Sequence, residues 1–121
     1  MSDTSHRSVD GLVGEQLSAV AFVQDYVELH FDGPVIRALT NPIIHSNGAQ
    51  VAFPAPGSRD ALCQFIGRLV AKVELAESVS FTCHFQGGGS IIVPLDPDSY
   101  RGAEAMHFQE SPTGTLQGWS L

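Results

Sequence analysis

The chain has 121 residues, which suits one domain with its own core and is too short for two of ordinary size. Its 6 Lys and Arg residues face 13 Asp and Glu, a formal net charge of −7, so a phosphate backbone or an anionic bilayer repels it, and no nucleic acid and no membrane is expected as a partner. Hydrophobic residues make up 43%, enough for a folded globule rather than a disordered chain, and no run approaches the roughly 18 apolar residues of a membrane-spanning helix.

Residues 1–9 are polar and are expected to be flexible, and residues 10–121 to form a single β-rich domain. The N-terminal stretch lacks the apolar segment of a secretory signal, which makes a cytoplasmic location the expectation. From Leu12 the sequence LVGEQLSAVAFVQDYVELHFDGPVIRALTNP reads as strand, strand, turn, strand. In YVELHF, Val27, Leu29 and Phe31 fall on one side and Tyr26, Glu28 and His30 on the other, the period-2 pattern of a strand with one face in the core and one in water. Asp32-Gly33 supplies a turn that can use glycine at positive φ. The segment PIIHSNGAQVAFP predicts a hairpin with Asn47-Gly48 at its tip.

One helix is predicted near 58–66, with Ser58 as N-cap, Gly67 as its stop, and Leu62, Phe65, Ile66 and Leu69 as the apolar stripe that docks on a sheet. Ser8 to Val13 is a weaker echo, expected to be a turn. From Phe65 the pattern repeats: FIGRLVAKVELAESVSFTCHFQGGGSIIVPLDP. Gly14 falls on Gly67, Val20 on Val73 and Phe22 on Leu75; with one residue inserted, His30 falls on His84 and Gly33 on Gly87. Two copies, about 12–42 and 65–96, imply a pseudo-twofold domain rather than a solenoid, which needs three or more repeats. In SVSFTCHF the buried side reads Val79, Phe81, Cys83 and Phe85, and the outer side Ser80, Thr82 and His84. After the second copy come a turn at DPDSY, a strand at EAMHF and a terminal strand at LQGWSL whose Trp119 is expected to close the core. The fold class is therefore α+β, mainly β, with antiparallel strands in two pseudo-twofold repeats.

The chemistry-bearing motifs are few. Cys63 and Cys83 form no CxxC pair, and both are expected to be reduced thiols in or near the core. GGGS after Gln86 is followed by a strand pattern, so it is hairpin glycine rather than a phosphate loop, which needs a helix after it. There is no GxSxG elbow and no HExxH, so no catalytic residue is assigned and no cofactor is expected. His30, His84 and His107 would form a metal site only if the fold brought them together.

The segments LVGEQLSAVAFVQDYVELHFDG (12–33), RDALCQFIGR (59–68) and YRGAEAMHF (100–108) resemble a group of small bacterial proteins of unknown function built from two similar β-rich halves. The resemblance rests on core and turn residues and implies fold. In its small, acidic, single-domain style the chain is also loosely similar to immunity proteins of bacterial toxin systems, by analogy only. The expectation is a non-enzymatic protein-binding module with an acidic open sheet face, its contact residues Tyr26, Glu28, His30, Ser80, Thr82 and His84. The alternative is a small-ligand or metal-binding protein or enzyme with a site between the halves. A homodimer through edge strands or an apolar sheet face is a third expectation.

Overall fold

The computed structural model describes residues 9–24 and 26–109, together with the backbone of the strand Trp119–Ser120. Among the described residues, ten strands form two antiparallel five-stranded sheets. The first copy supplies β1 (Leu17–Val23), β2 (Tyr26–Phe31) and β3 (Val35–Ala38), and the second supplies β6 (Val70–Ala76), β7 (Ser80–Phe85) and β8 (Ser90–Pro94). Each trio is a meander. The hairpin of β4 (Ile43–Ser46) and β5 (Ala49–Ala52) follows the first trio but pairs with β8, while β9 (Met106–Gln109) and β10 (Trp119–Ser120) follow the second trio but pair with β3. The sheet orders are β1-β2-β3-β9-β10 and β5-β4-β8-β7-β6, which map onto each other under the repeat.

The duplication extends to single hydrogen bonds. The Gly14 N–H donates to the Val70 carbonyl at 2.8 Å, and the Gly67 N–H donates to the Leu17 carbonyl at 2.8 Å. The Leu17 N–H meets the Arg68 carbonyl at 3.0 Å, and the Val70 N–H meets the Glu15 carbonyl at 2.9 Å. Gln16 and Leu69, counterparts in the repeat, bridge to each other, so the pseudo-twofold axis passes between them. Both edge strands carry the same irregularity, between Leu17 and Ala19 in β1 and between Val70 and Lys72 in β6. The inserted residue of the second copy lies in the longer turn between β6 and β7.

The inner faces share one core. Val27, Leu29, Phe31, Ile36, Ala38, Met106 and Phe108 come from the first sheet, and Ile44, Val70, Phe81, Cys83, Phe85, Ile91 and Val93 from the second. The alternation read in β2 and β7 is the alternation observed. Val79 departs from it: it sits in the turn before β7 and is 59% exposed, because the strand begins one residue later. Asn47 and Gly48 take φ of 56° and 77° between Ser46 and Ala49, the backbone that a two-residue hairpin demands. Gly33 does not take positive φ. The β2–β3 link turns through Asp32–Pro34 instead, closed by the Phe31 N–H on the Pro34 carbonyl at 2.9 Å.

The helix α1 (Ser58–Cys63) is shorter than expected. Gly57 is its N-cap, and Ser58 is its first residue, buried with a hydroxyl that has no hydrogen-bond partner among the described residues. Leu62 and Phe65 are fully buried, but Ile66 and Leu69 are exposed, because after Cys63 the α-helix gives way to i→i−3 turns that lead the chain towards β6. Cys63 is exposed, not near the core, whereas Cys83 is buried; burial pushes the Cys83 thiol up to about 12, which makes it inert. Val9, expected to be flexible, is buried beside Leu12 in the core. Residues 1–8 and the Trp119 side chain lie outside the described residues.

Candidate functional site

Outward-pointing residues of the first sheet form a charged row. The register sets Glu28 opposite Arg37, and Arg37 opposite His107. Arg37 lies outside because its neighbours Ile36 and Ala38 lie inside. Its Nε donates to Glu28 Oε2 at 2.7 Å, while His30 Nε2 meets Glu28 Oε1 at 2.9 Å. One carboxylate thus holds two side chains from two strands, and its own side chain is only 14% exposed. Burial pushes the Glu28 carboxyl up, but the hydrogen bonds and charges of Arg37 and His30 outweigh it and hold the group below the usual glutamate range. His107 pairs with Glu104 at the far side of the row. Tyr26, half-buried, begins β2 at the other end of the face.

The second sheet has its own His–Glu pair. His84 Nε2 meets Glu74 Oε1 at 2.9 Å, and Lys72 Nζ lies 3.5 Å from Glu74 Oε2. The hydrogen bond from His84, then the Lys72 charge, lowers the Glu74 carboxyl. The carboxylate comes from a different place in each copy: from the histidine's own strand in the first, from the neighbouring β6 in the second. Ser80 and Thr82 share this outer face, opposite Pro94 and Ile92.

No family model, curated protein or solved structure matches this chain.

The six expected contact residues do not form one face. Tyr26, Glu28 and His30 lie on the outside of the first sheet, and Ser80, Thr82 and His84 on the outside of the second. The same topology bears on the alternative of a metal site at three histidines. His30 and His107 share a face, but β3 stands between their strands, and His84 belongs to the other sheet. Among the described residues, no three His, Cys, Asp or Glu side chains come together in a metal-ligating group. The glycines 87–89 connect two strands, as expected, and Arg68 Nη1 donates to the Gly88 carbonyl at 2.9 Å.

A cleft that the motifs did not single out opens where the links between sheets cross. It has a volume of about 370 Å³ and is lined by Gln24, Asn41, Phe53, Pro54, Arg59 and Arg101. A neighbouring cleft of about 240 Å³ shares Arg101 and is bounded by Tyr26 and Glu104. Among the described residues, the six that line the larger cleft come from five stretches of chain, with only Phe53 and Pro54 adjacent, and no local spacing marks them.

Proposed function

We propose that the protein is a binding module that docks a protein partner on the outer face of its first sheet, through Tyr26, Glu28, His30 and Arg37. The observation that carries this reading is the Glu28 carboxylate, which fixes His30 and Arg37 from neighbouring strands on a half-exposed surface. Charged groups already held in place lose little side-chain freedom when a partner arrives, and a fixed charge pattern gives specificity and fast encounter. The net charge of −7 favours a basic partner. An immunity-like role, masking another protein, is the form of this reading that the acidic single-domain style suggests.

The test is capture of a partner from host lysate by the tagged chain, followed by titration with two double variants. Glu28→Gln with His30→Ala alters the proposed face; Thr82→Ala with His84→Ala alters the other sheet. A tenfold or greater loss for the first pair alone supports the assignment. Unchanged affinity for the first pair means that the surface is wrong. The large cleft favours a second reading, a protein for small ligands.

A further inference from the structure

We infer that the cleft lined by Gln24, Asn41, Phe53, Pro54, Arg59 and Arg101 is a binding site for a carboxylate carried on an apolar or aromatic group. The inference does not depend on which sheet face docks a partner. Phe53 lines it, and the Phe53 ring stacks on that of Phe22 beside the cleft, with centroids 5.9 Å apart and planes 13° from parallel. The Arg59 guanidinium lies over both, 4.9 Å from the Phe53 centroid and 5.6 Å from that of Phe22. A guanidinium over phenyl rings still has N–H groups for hydrogen bonding, and their fork matches the two oxygens of a carboxylate. Among the described residues Arg59 has no carboxylate partner.

The polar lining fits the same ligand. Arg101 Nη1 donates to Asn41 Oδ1 at 3.1 Å. Arginine can only donate, so the amide oxygen of Asn41 faces it and the NH2 group of Asn41 remains a donor. Two of the 6 Lys and Arg residues in an acidic chain line this one cleft. Gln24 reaches the lining from the β1–β2 turn, where it takes φ of 46°, a conformation uncommon for any residue but glycine.

The duplication provides an internal comparison. The second copy has a smaller cleft of about 210 Å³ at its own β6–β7 turn, lined by Glu77, Ser78, Leu95 and Tyr100. Among the described residues this lining holds Glu77 and no arginine, and Leu75 stands where the first copy has Phe22.

The experiment is an NMR titration of the full chain labelled with 15N, following the Arg59 Nε–H signal and the amides of Gln24 and Asn41. The probes are benzoate, benzamide, inorganic phosphate, and a tripeptide ending in Phe with its C-terminus free or amidated. Benzoate is expected to shift these signals in a saturable manner while benzamide leaves them in place. Arg59→Gln is expected to weaken binding at least tenfold, and Arg59→Lys to do nearly as much, since it keeps the charge but loses the fork. Arg59 is exposed, so the rest of the spectrum should stay unchanged in both variants and report an intact fold. Tighter binding of the free-acid tripeptide than of benzoate supports the site and makes a peptide C-terminus the source; the reverse order supports it for a small acid. Three results overturn the proposal: no shift with either acid, equal binding to Arg59→Gln, or phosphate binding as tightly as the carboxylates.

Discussion

Gly89 offers the sharpest test of how the core and the second hairpin fit together. Its φ is +91°, and a Cβ built there would stand 2.7 Å from Phe65 Cε1 and 2.8 Å from Cζ. Phe65 is fully buried and stacked on Phe85 with centroids 4.5 Å apart, so the ring has nowhere to go. Gly88 is the natural control: its φ is +102°, but a Cβ there meets nothing within 4 Å. Both alanine variants bear left-handed strain of about 1–2 kcal/mol. Gly89→Ala adds an overpacking cost of about 1–3 kcal/mol. In urea, with a slope of about 1.5 kcal/mol per molar, Gly88→Ala should lower the midpoint by about 1 M and Gly89→Ala by about 2 M or more. Phe65→Leu removes the two clashing atoms, so Gly89→Ala combined with Phe65→Leu should lose at least about 1 kcal/mol less than the separate losses added together. Equal midpoints for the two glycine variants, or strict additivity in the double variant, would refute the packing described for this hairpin.

Two further outcomes follow from polar groups. The Glu28 carboxyl is held below its ordinary value in the folded chain, so as pH falls the unfolded chain takes up that proton first. Its contribution is therefore complete above about pH 4.3 and is lost as pH falls through the lower folded-state value. Glu28→Gln should cost about 1–2 kcal/mol at pH 7, and the gap from the natural chain should close below pH 4 in urea titrations at a series of pH values. Ser58 separates two accounts of one residue. A side-chain N-cap would make Ser58→Ala cost about 1 kcal/mol, whereas a buried hydroxyl without a partner makes it neutral or stabilising by up to about 1 kcal/mol; thermal unfolding decides.

The sequence makes local structure legible, and long-range pairing far less so. Alternation in YVELHF and SFTCHF correctly identifies the residues that enter the core, because the pleat is a property of each strand alone. Asn47-Gly48 announces its hairpin for the same reason. The internal match announces the pseudo-twofold. The destination of β4 and β9 is hidden, since nothing local says that Ile44 will lie beside Ile91 or Ile36 beside Phe108. The Glu28–Arg37 clamp follows from register across a turn whose geometry differed from the expected one. Ser58 misleads because a good capping residue next to glycine leaves two candidates for the cap, and the backbone chose Gly57. The Phe22, Phe53 and Arg59 stack joins a strand to the stretch around α1, which no periodicity connects.

The exchange of β4 and β9 between sheets also bears on how such a chain could arise. A single repeat on its own would have a three-stranded meander with an open edge at its third strand, and a trailing hairpin with no sheet to join. Two copies cure both defects at once, each lending its hairpin to the other's open edge. The architecture has the form of a reciprocally swapped dimer whose subunits have been fused, with residues 53–57 as the seam. An ancestor of half this length would have been viable only in pairs, and fusion would have removed the concentration dependence of that pairing. Two copies in one chain need not remain identical, and Phe22 in the first against Leu75 in the second is such a difference.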